Sequence, residues 1–249
     1  VHELTGLPLW PSIVVTGIFV SFYTVAGGIE AVVWTDVIQT IILALGGVLI
    51  LARIVMDLPG GIGHILEVGI ADGKFQFADL VKGMDGLQRA TWLPESWPAV
   101  FGEKTVIMVL FVGLTHYMAE YACNQNVVQR YAASSSAREA RKAMLICCIS
   151  SLAIWTFFRF LGTSMYVFFK EFPDPKATAM LTGELKAEQI LPYFVMRYLP
   201  AGLSGIVLAA VFAAAMSSLD SSINAISTVS IVDFYKRHFV KSRDDAHYL

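Results

Sequence analysis

Residues Gly202–Tyr235 read GLSGIVLAAVFAAAMSSLDSSINAISTVSIVDFY. From Gly202 to Leu219 the run carries no charge, so it is long and apolar enough to enter a bilayer. It then places Ser217, Ser218, Asp220, Ser221, Ser222, Asn224 and Thr228 within the span. At about 100° per residue, Ala214, Ser217, Ser218, Ser221, Asn224, Ala225 and Thr228 fall on one small, oxygen-rich stripe. Small residues alone serve close helix packing. A carboxylate in the span is different, because an intramembrane ionisable group is costly and so marks function. Oxygens in hydrocarbon must find partners, which places this helix against protein or water. Oxygen ligands without sulfur or imidazole suit a hard cation such as Na⁺. The stripe points to ion-coupled transport.

Composition agrees with a membrane class. The chain has 249 residues, 56% hydrophobic and 15% charged, with a mean hydropathy of +0.62. A soluble domain carries about 25% charged residues. The net charge of −2 argues against a nucleic-acid partner, which calls for a basic patch. Cys123, Cys147 and Cys148 lie in or beside apolar segments without metal-ligand or CxxC spacing, so neither a metal centre nor a disulfide framework is expected. Val1 opens the chain without a methionine or a signal peptide, and the sequence reads as a piece of a longer protein.

Five apolar segments are expected to span, at about 5–29, 36–56, 105–129, 143–169 and 201–235, joined by connectors 57–104 and 170–200. Together they make one partial transmembrane domain over 1–249. Helices are the open-ended way to cross lipid, so the expected class is all-α integral membrane. Arg130, Arg138, Arg141 and Lys142 outweigh Glu139 after the third span, which sets that side as cytoplasmic. By alternation the tail with Lys236, Arg237, Lys241 and Arg243 joins it, and the two long connectors fall outside. A multi-pass protein of the plasma (cytoplasmic) membrane follows, with the lipid bilayer as one partner.

Three ordered motifs resemble the signatures of the sodium/solute symporter family, which includes the sodium/glucose cotransporters. Tyr23-Thr24-Val25-Ala26-Gly27-Gly28-Ile29-Glu30-Ala31-Val32-Val33-Trp34-Thr35-Asp36-Val37-Ile38-Gln39 resembles its YTxxGGxxAVxxTDxxQ block. Asn124-Gln125-Asn126-Val127-Val128-Gln129-Arg130-Tyr131-Ala132-Ala133 resembles its (D/N)Qxx(V/I)QRxxAA block. Gly202-Leu203-Ser204-Gly205 followed by Ala213 to Ser221 resembles its third. The resemblance covers essentially the whole chain. It implies a leucine-transporter-like fold of inverted repeats, with these spans as core helices four to eight. It also implies sodium-coupled symport of a small organic solute (sugar, sialic acid, carboxylate or similar) by alternating access, with Na⁺ as coupling ion and no other cofactor. The first core helices would then belong to the missing remainder of the same chain.

Carried over by motif, Ala214, Ser217 and Ser218 correspond to the eighth-helix half of the family's shared sodium site. A second cation site in some members maps to Asp36 on the fifth helix and to Ser217, Asp220 and Ser221 on the eighth. Asp220 replaces a hydroxyl there. It would bind the cation more strongly, carry a proton, or pair with a basic group such as Arg159, which otherwise snorkels outward. Asp36 also fits a plain helix N-cap or an interfacial residue. Glu120 stands where sugar-transporting relatives place an aromatic gate, with Tyr117 and Tyr121 around it, and Ser151 stands where some hold a sugar-contacting lysine. His116 and Glu120, one turn apart, either line the solute path, titrate as a pair or satisfy each other. Residues His116, Tyr117, Glu120, Tyr121 and Ser151 are therefore candidate solute-lining groups, and no particular solute follows.

Two other classes remain open on sequence. A membrane-embedded enzyme would draw on Asp36, Asp220, His116 and Glu120, although two ligands on one helix fall short of a catalytic metal. A channel would need a filter loop or a repeated polar ring, and neither is present in the sequence.

Overall fold

The structure, a computed structural model, describes residues 8–76, 80–82, 88–93, 105–241, 243, 244 and 247. The start of the first expected span and much of the connector 57–104 lie outside them. The chain divides into two compact units, Val1–Ile65 with Leu145–Leu249, and Leu66–Met144.

Four helices among the described residues are long and apolar enough to cross a membrane: Trp10–Asp57, Val106–Cys123, Ala137–Glu171 and Ala201–Phe239. Their apolar side chains are largely exposed, Phe22, Val25, Leu110, Ile149 and Trp155 among them. Such a surface suits hydrocarbon and not water.

In the first unit, helix α1 runs Leu9–Asp57 with one non-helical residue, Gly28. Thr24 and Thr35 are eleven residues apart, about 16 Å along a straight helix at 1.5 Å per residue. Yet their hydroxyls reach the same carboxylate, 3.0 Å and 3.5 Å from the oxygens of Asp220. The helix therefore bends sharply at Gly28. The backbone there has φ 60° and ψ −157°, a region open in practice only to glycine. The residues between the expected spans 5–29 and 36–56 are helical, because one permissive residue suffices to bend the chain and a polar loop is not needed.

Helix α8, Ala201–Thr228, packs on both arms of α1 and continues as a π-helix over Val229–Phe239. Val20, Val32, Ile50 and Ile54 of α1 and Val207, Ala210, Ala213 and Ala225 of α8 are buried. At Gly46 a Cβ would fall 2.8 Å from that of Ala210, so the close approach of the two helices depends on the missing side chain.

Helix α5 spans Ala137–Glu171, beyond the expected 143–169 at both ends, and buries Leu161, Ser164, Met165, Val167, Phe168 and Phe169 near its C-terminus. Short helices follow in the connector 170–200: α6 at Pro175–Leu181, a 3₁₀ turn at Ala187–Gln189, and α7 at Ile190–Tyr198. Phe168, Phe194 and Tyr198 form an aromatic cluster, with centroids 5.1 Å apart for Phe168–Phe194 and 5.4 Å for the stacked Phe194–Tyr198. Earlier in the chain, α2 (Gly61–Ala71) contributes His64, whose Nε2 lies 2.8 Å from Oε1 of Glu171 at the end of α5.

One carboxylate ties α6 to α7. Asp174 caps α6, accepting from the backbone N–H groups of Lys176 and Ala177, while its other oxygen accepts from Tyr193 at 2.8 Å and Tyr198 at 3.3 Å. Burial pushes the Asp174 carboxyl up, but the bonds from Tyr193, Ala177, Lys176 and Tyr198 outweigh it and hold the group below the usual carboxylate value. A depressed folded value stabilises above the unfolded one and fades as pH falls through the folded one. Hydrogen-exchange protection of residues 174–198 should therefore hold at pH 6 and fall as the medium is taken below about pH 4. Asp174→Asn should flatten that acid response; an unchanged profile would contradict the tie.

In the second unit, α3 (Val106–Cys123) is capped by Thr105, and α4 (Gln125–Ala132) by Asn124. Asn124 Oδ1 accepts from the Asn126 N–H at 3.0 Å, while its Nδ2 donates to both Glu120 oxygens at 3.2 and 3.1 Å. That double engagement breaks the span expected at 105–129. Two three-residue strands, β1 (Leu80–Lys82) and β2 (Gln88–Ala90), pair antiparallel with Val81 opposite Arg89, and they are the only strands among the described residues.

Candidate cation site

The oxygen-bearing face of α8 meets α1 on both sides of the Gly28 turn. Ser217 donates its hydroxyl to Oδ1 of Asp36. One turn along, Asp220 is fully buried, at 0% exposure. Its Oδ1 accepts from Thr24 at 3.0 Å, and its Oδ2 accepts from the Tyr23 hydroxyl and faces Thr35 Oγ1 at 3.5 Å. Thr35 also lies 2.9 Å from the Ala31 carbonyl oxygen, where its single proton makes the better bond. Thr35, next to Asp36 in the chain, faces Asp220, so both carboxylates lie at the same joint of α1 with α8.

The structure thus brings Asp36, Ser217 and Asp220 to one locus, with Ser221 one helical position beyond Asp220. Ser218 points elsewhere. Its hydroxyl is exposed and lies 3.3 Å from the Ala214 carbonyl oxygen, the bond a helical serine makes to its own preceding turn. Ala214, Ser217 and Ser218 therefore share a stretch of α8, but Ser217 turns toward α1 and Ser218 away from it. Arg159 is exposed on α5 and is not among the partners of Asp220, which are hydroxyls. Every donor atom named at this locus is oxygen, the chemistry that fits a hard cation.

Tyr23, Thr24 and Thr35 carry no assigned role on sequence alone, although all three belong to the first quoted motif. The signal was available: a buried carboxylate requires donors, and these hydroxyls flank the only glycine pair in the first apolar segments before Asp36.

His116, Tyr117, Glu120 and Tyr121 all lie on α3. Tyr117 stacks on Tyr121 at 6.0 Å and meets His116 edge-on at 5.5 Å. Glu120 is engaged by Asn124, so the pairing of Glu120 with His116 gives way to the cap, which also closes the helix. Ser151 is on α5 in the other unit. Asp36 and Asp220 belong to the first unit and His116 and Glu120 to the second. Among the described residues no three His, Cys, Asp or Glu side chains are grouped to hold a metal ion.

A family model described as "Sodium:solute symporter family" matches residues 1–247. The sodium/sialic acid symporter of Proteus mirabilis is 31% identical over 225 residues, covering 90% of this chain and 41% of that protein. The human sodium/iodide cotransporter is 33% identical over 239 residues, covering 94% of this chain and 34% of its own length. The chain therefore spans less than half the length of these relatives. A solved structure of a Na⁺-coupled sialic acid symporter, described as a substrate-bound outward-open state revealing a novel Na⁺ site, covers the whole chain and 48% of its own. It superposes with a TM-score of 0.77 at 29% identity. The all-α, leucine-transporter-like architecture expected from the sequence is the one the chain has.

Proposed function

Because the chain belongs to the sodium:solute symporter family, as the match over residues 1–247 establishes, we propose that it forms part of a sodium-coupled secondary active symporter. The family is one of transporters, and with that the enzyme and channel alternatives are set aside. The observation that carries the proposal is the joint between α1 and α8, where Ser217 bonds Asp36 beside the buried Asp220.

Two cation positions share this stretch of α8. One draws on the Ala214 carbonyl and the hydroxyls of Ser217 and Ser218, with its other ligands coming from the rest of the protein. A second draws on Asp36, Ser217 and Ser221, with Asp220 as the carboxylate behind them. Inward movement of Na⁺ supplies the driving force, about 2.3 kcal/mol per charge for each 100 mV of membrane potential. Two cations double that electrical contribution and permit steeper accumulation of solute. The solute is small and organic, in the range of sugars, sialic acids and carboxylates. Of the candidate solute-lining groups, His116, Tyr117, Glu120 and Tyr121 on α3 are the ones proposed to line its path. The membrane is the plasma (cytoplasmic) membrane, with the basic tail at Lys236 and Arg237 inside.

Ser217→Ala and Ser218→Ala in the full-length chain should each raise the Na⁺ concentration for half-maximal uptake, by roughly tenfold for a lost ligand worth about 1.4 kcal/mol. Uptake into proteoliposomes over a Na⁺ series reads this directly. Na⁺ activation identical to the parent in both variants would remove these serines from the site.

A further inference from the structure

Helix α8 has 28 residues over Ala201–Thr228, a length of about 42 Å at 1.5 Å per residue. That already matches the ~40–45 Å of a bilayer with its polar layers. The π-helix that continues it, Val229–Phe239, therefore emerges at the headgroup level of one leaflet. Its side chains suit that depth. Phe234 and Phe239 are 62% and 77% exposed. Lys236 and Arg237 lie between them in the chain, and Lys241 and Arg243 follow. Against these cations the stretch 229–243 holds one acid, Asp233, before Asp244 and Asp245 close the run.

The winding arranges these groups. Along an α-helix, residues five apart are turned by about 140° from one another, whereas i→i+5 bonding sets them one above the other. The π-turn thus brings Phe234 and Phe239 onto one side, where the Phe234 ring also meets that of His238 at 6.3 Å. The His238 ring is held in turn by the Asp233 carbonyl oxygen, 3.1 Å from Nδ1. Lys236 and Arg237 come two and three positions after Phe234 and take the rest of the circumference. Exposed rings beside cations fit the boundary of acyl chains and headgroups, where aromatic and long basic side chains collect.

We infer that the π-helical end of α8 docks an anionic phospholipid of the cytoplasmic leaflet. Phe234 and Phe239 lie against its acyl chains, and Lys236 and Arg237, backed by Lys241 and Arg243, hold its phosphate. This rests on the reading that the basic tail is cytoplasmic. Charge complementarity selects the occupant. Anionic lipid is drawn to Lys and Arg clustered beside a spanning helix, by about fivefold in affinity for each one near the surface. A zwitterionic lipid offers no net charge for them. The same helix presents Ser217 and Asp220 to α1, so a lipid held at its inner end steadies the element on which the cation site is built.

The test uses the purified full-length chain in lipid nanodiscs, with phosphatidylglycerol titrated into phosphatidylcholine and melting temperature as the readout. The parent is expected to melt higher as phosphatidylglycerol rises. Lys236→Gln with Arg237→Gln should need roughly tenfold or more phosphatidylglycerol for half of that effect, while melting like the parent in phosphatidylcholine alone. A full response in this double variant overturns the proposal, as does a parent that melts alike in both lipids. Equal stabilisation by soluble glycerol phosphate overturns it too, because a free phosphate then suffices. Should the double variant not fold, Lys241→Gln with Arg243→Gln, beyond the helix, is read by the same outcomes. Trypsin cleavage at Lys241 and Arg243 should occur in inside-out vesicles and not in right-side-out ones. Cleavage from the outside overturns the topology reading and the choice of leaflet, whatever the melting curves show.

Discussion

Replacing Asp220 with leucine is expected to destabilise the folded protein by about 1–3 kcal/mol, the cost of leaving a buried polar group without its partner. The carboxylate is fully buried and joins three hydroxyls from two arms of α1. Their fates differ. Thr35 already bonds the Ala31 carbonyl and loses little. Thr24 can turn back to its own helix, as threonines do. Tyr23 cannot, because its phenol is too long and rigid to reach its own backbone, so it carries most of the loss at about 1–3 kcal/mol. A second change, Tyr23→Phe, should therefore recover part of the stability lost in Asp220→Leu, as a coupled pair does in a double-mutant cycle. Melting of the four proteins in detergent measures this. Additive losses would mean that Tyr23 and Asp220 do not depend on one another.

Gly28→Val should be comparably harmful for a reason that owes nothing to contacts. No side chain lies within 4 Å of a Cβ built at Gly28, so there is room for one. The obstacle is the backbone, at φ 60° and ψ −157°. Residues other than glycine held in such regions cost about 1–3 kcal/mol each, and a β-branched side chain lies at the top of that range or beyond. Gly17→Ala, in the same helix and with equally empty surroundings, has ordinary helical geometry and should be stabilising by up to about 1 kcal/mol. The contrast separates space from conformation. If both glycines tolerate their changes alike, Gly28 is not where α1 bends.

The membrane class and the helical architecture were legible because they depend on quantities a sequence states outright, namely the length of apolar runs and the shortage of charge. The meeting of Asp36 with α8 was also within reach, since both residues sit in motifs whose resemblance was specific. Other features depend on atoms and not on residue types. Glu120 looked like a partner for His116 by spacing alone, yet Asn124 takes it because an amide at a helix break has both a cap to supply and an N–H₂ to place. The Gly27-Gly28 pair stands in the sequence, but that helix would continue on both sides of the bend at Gly28 does not.

The tie between Thr24 and Asp220 also sets a schedule. The two residues are separated by 196 positions. At a synthesis rate of about 5–20 residues per second, the first arm waits roughly 10–40 s for its partner to emerge. During that interval Tyr23 and Thr24 have no carboxylate to meet, and the arms beside Gly28 must be sheltered by water, by lipid headgroups or by the insertion machinery. The joining of Tyr23 and Thr24 to α8 is thus a late event relative to the synthesis of α1 itself. A ribosome stalled before α8 would leave the Tyr23 hydroxyl without Asp220.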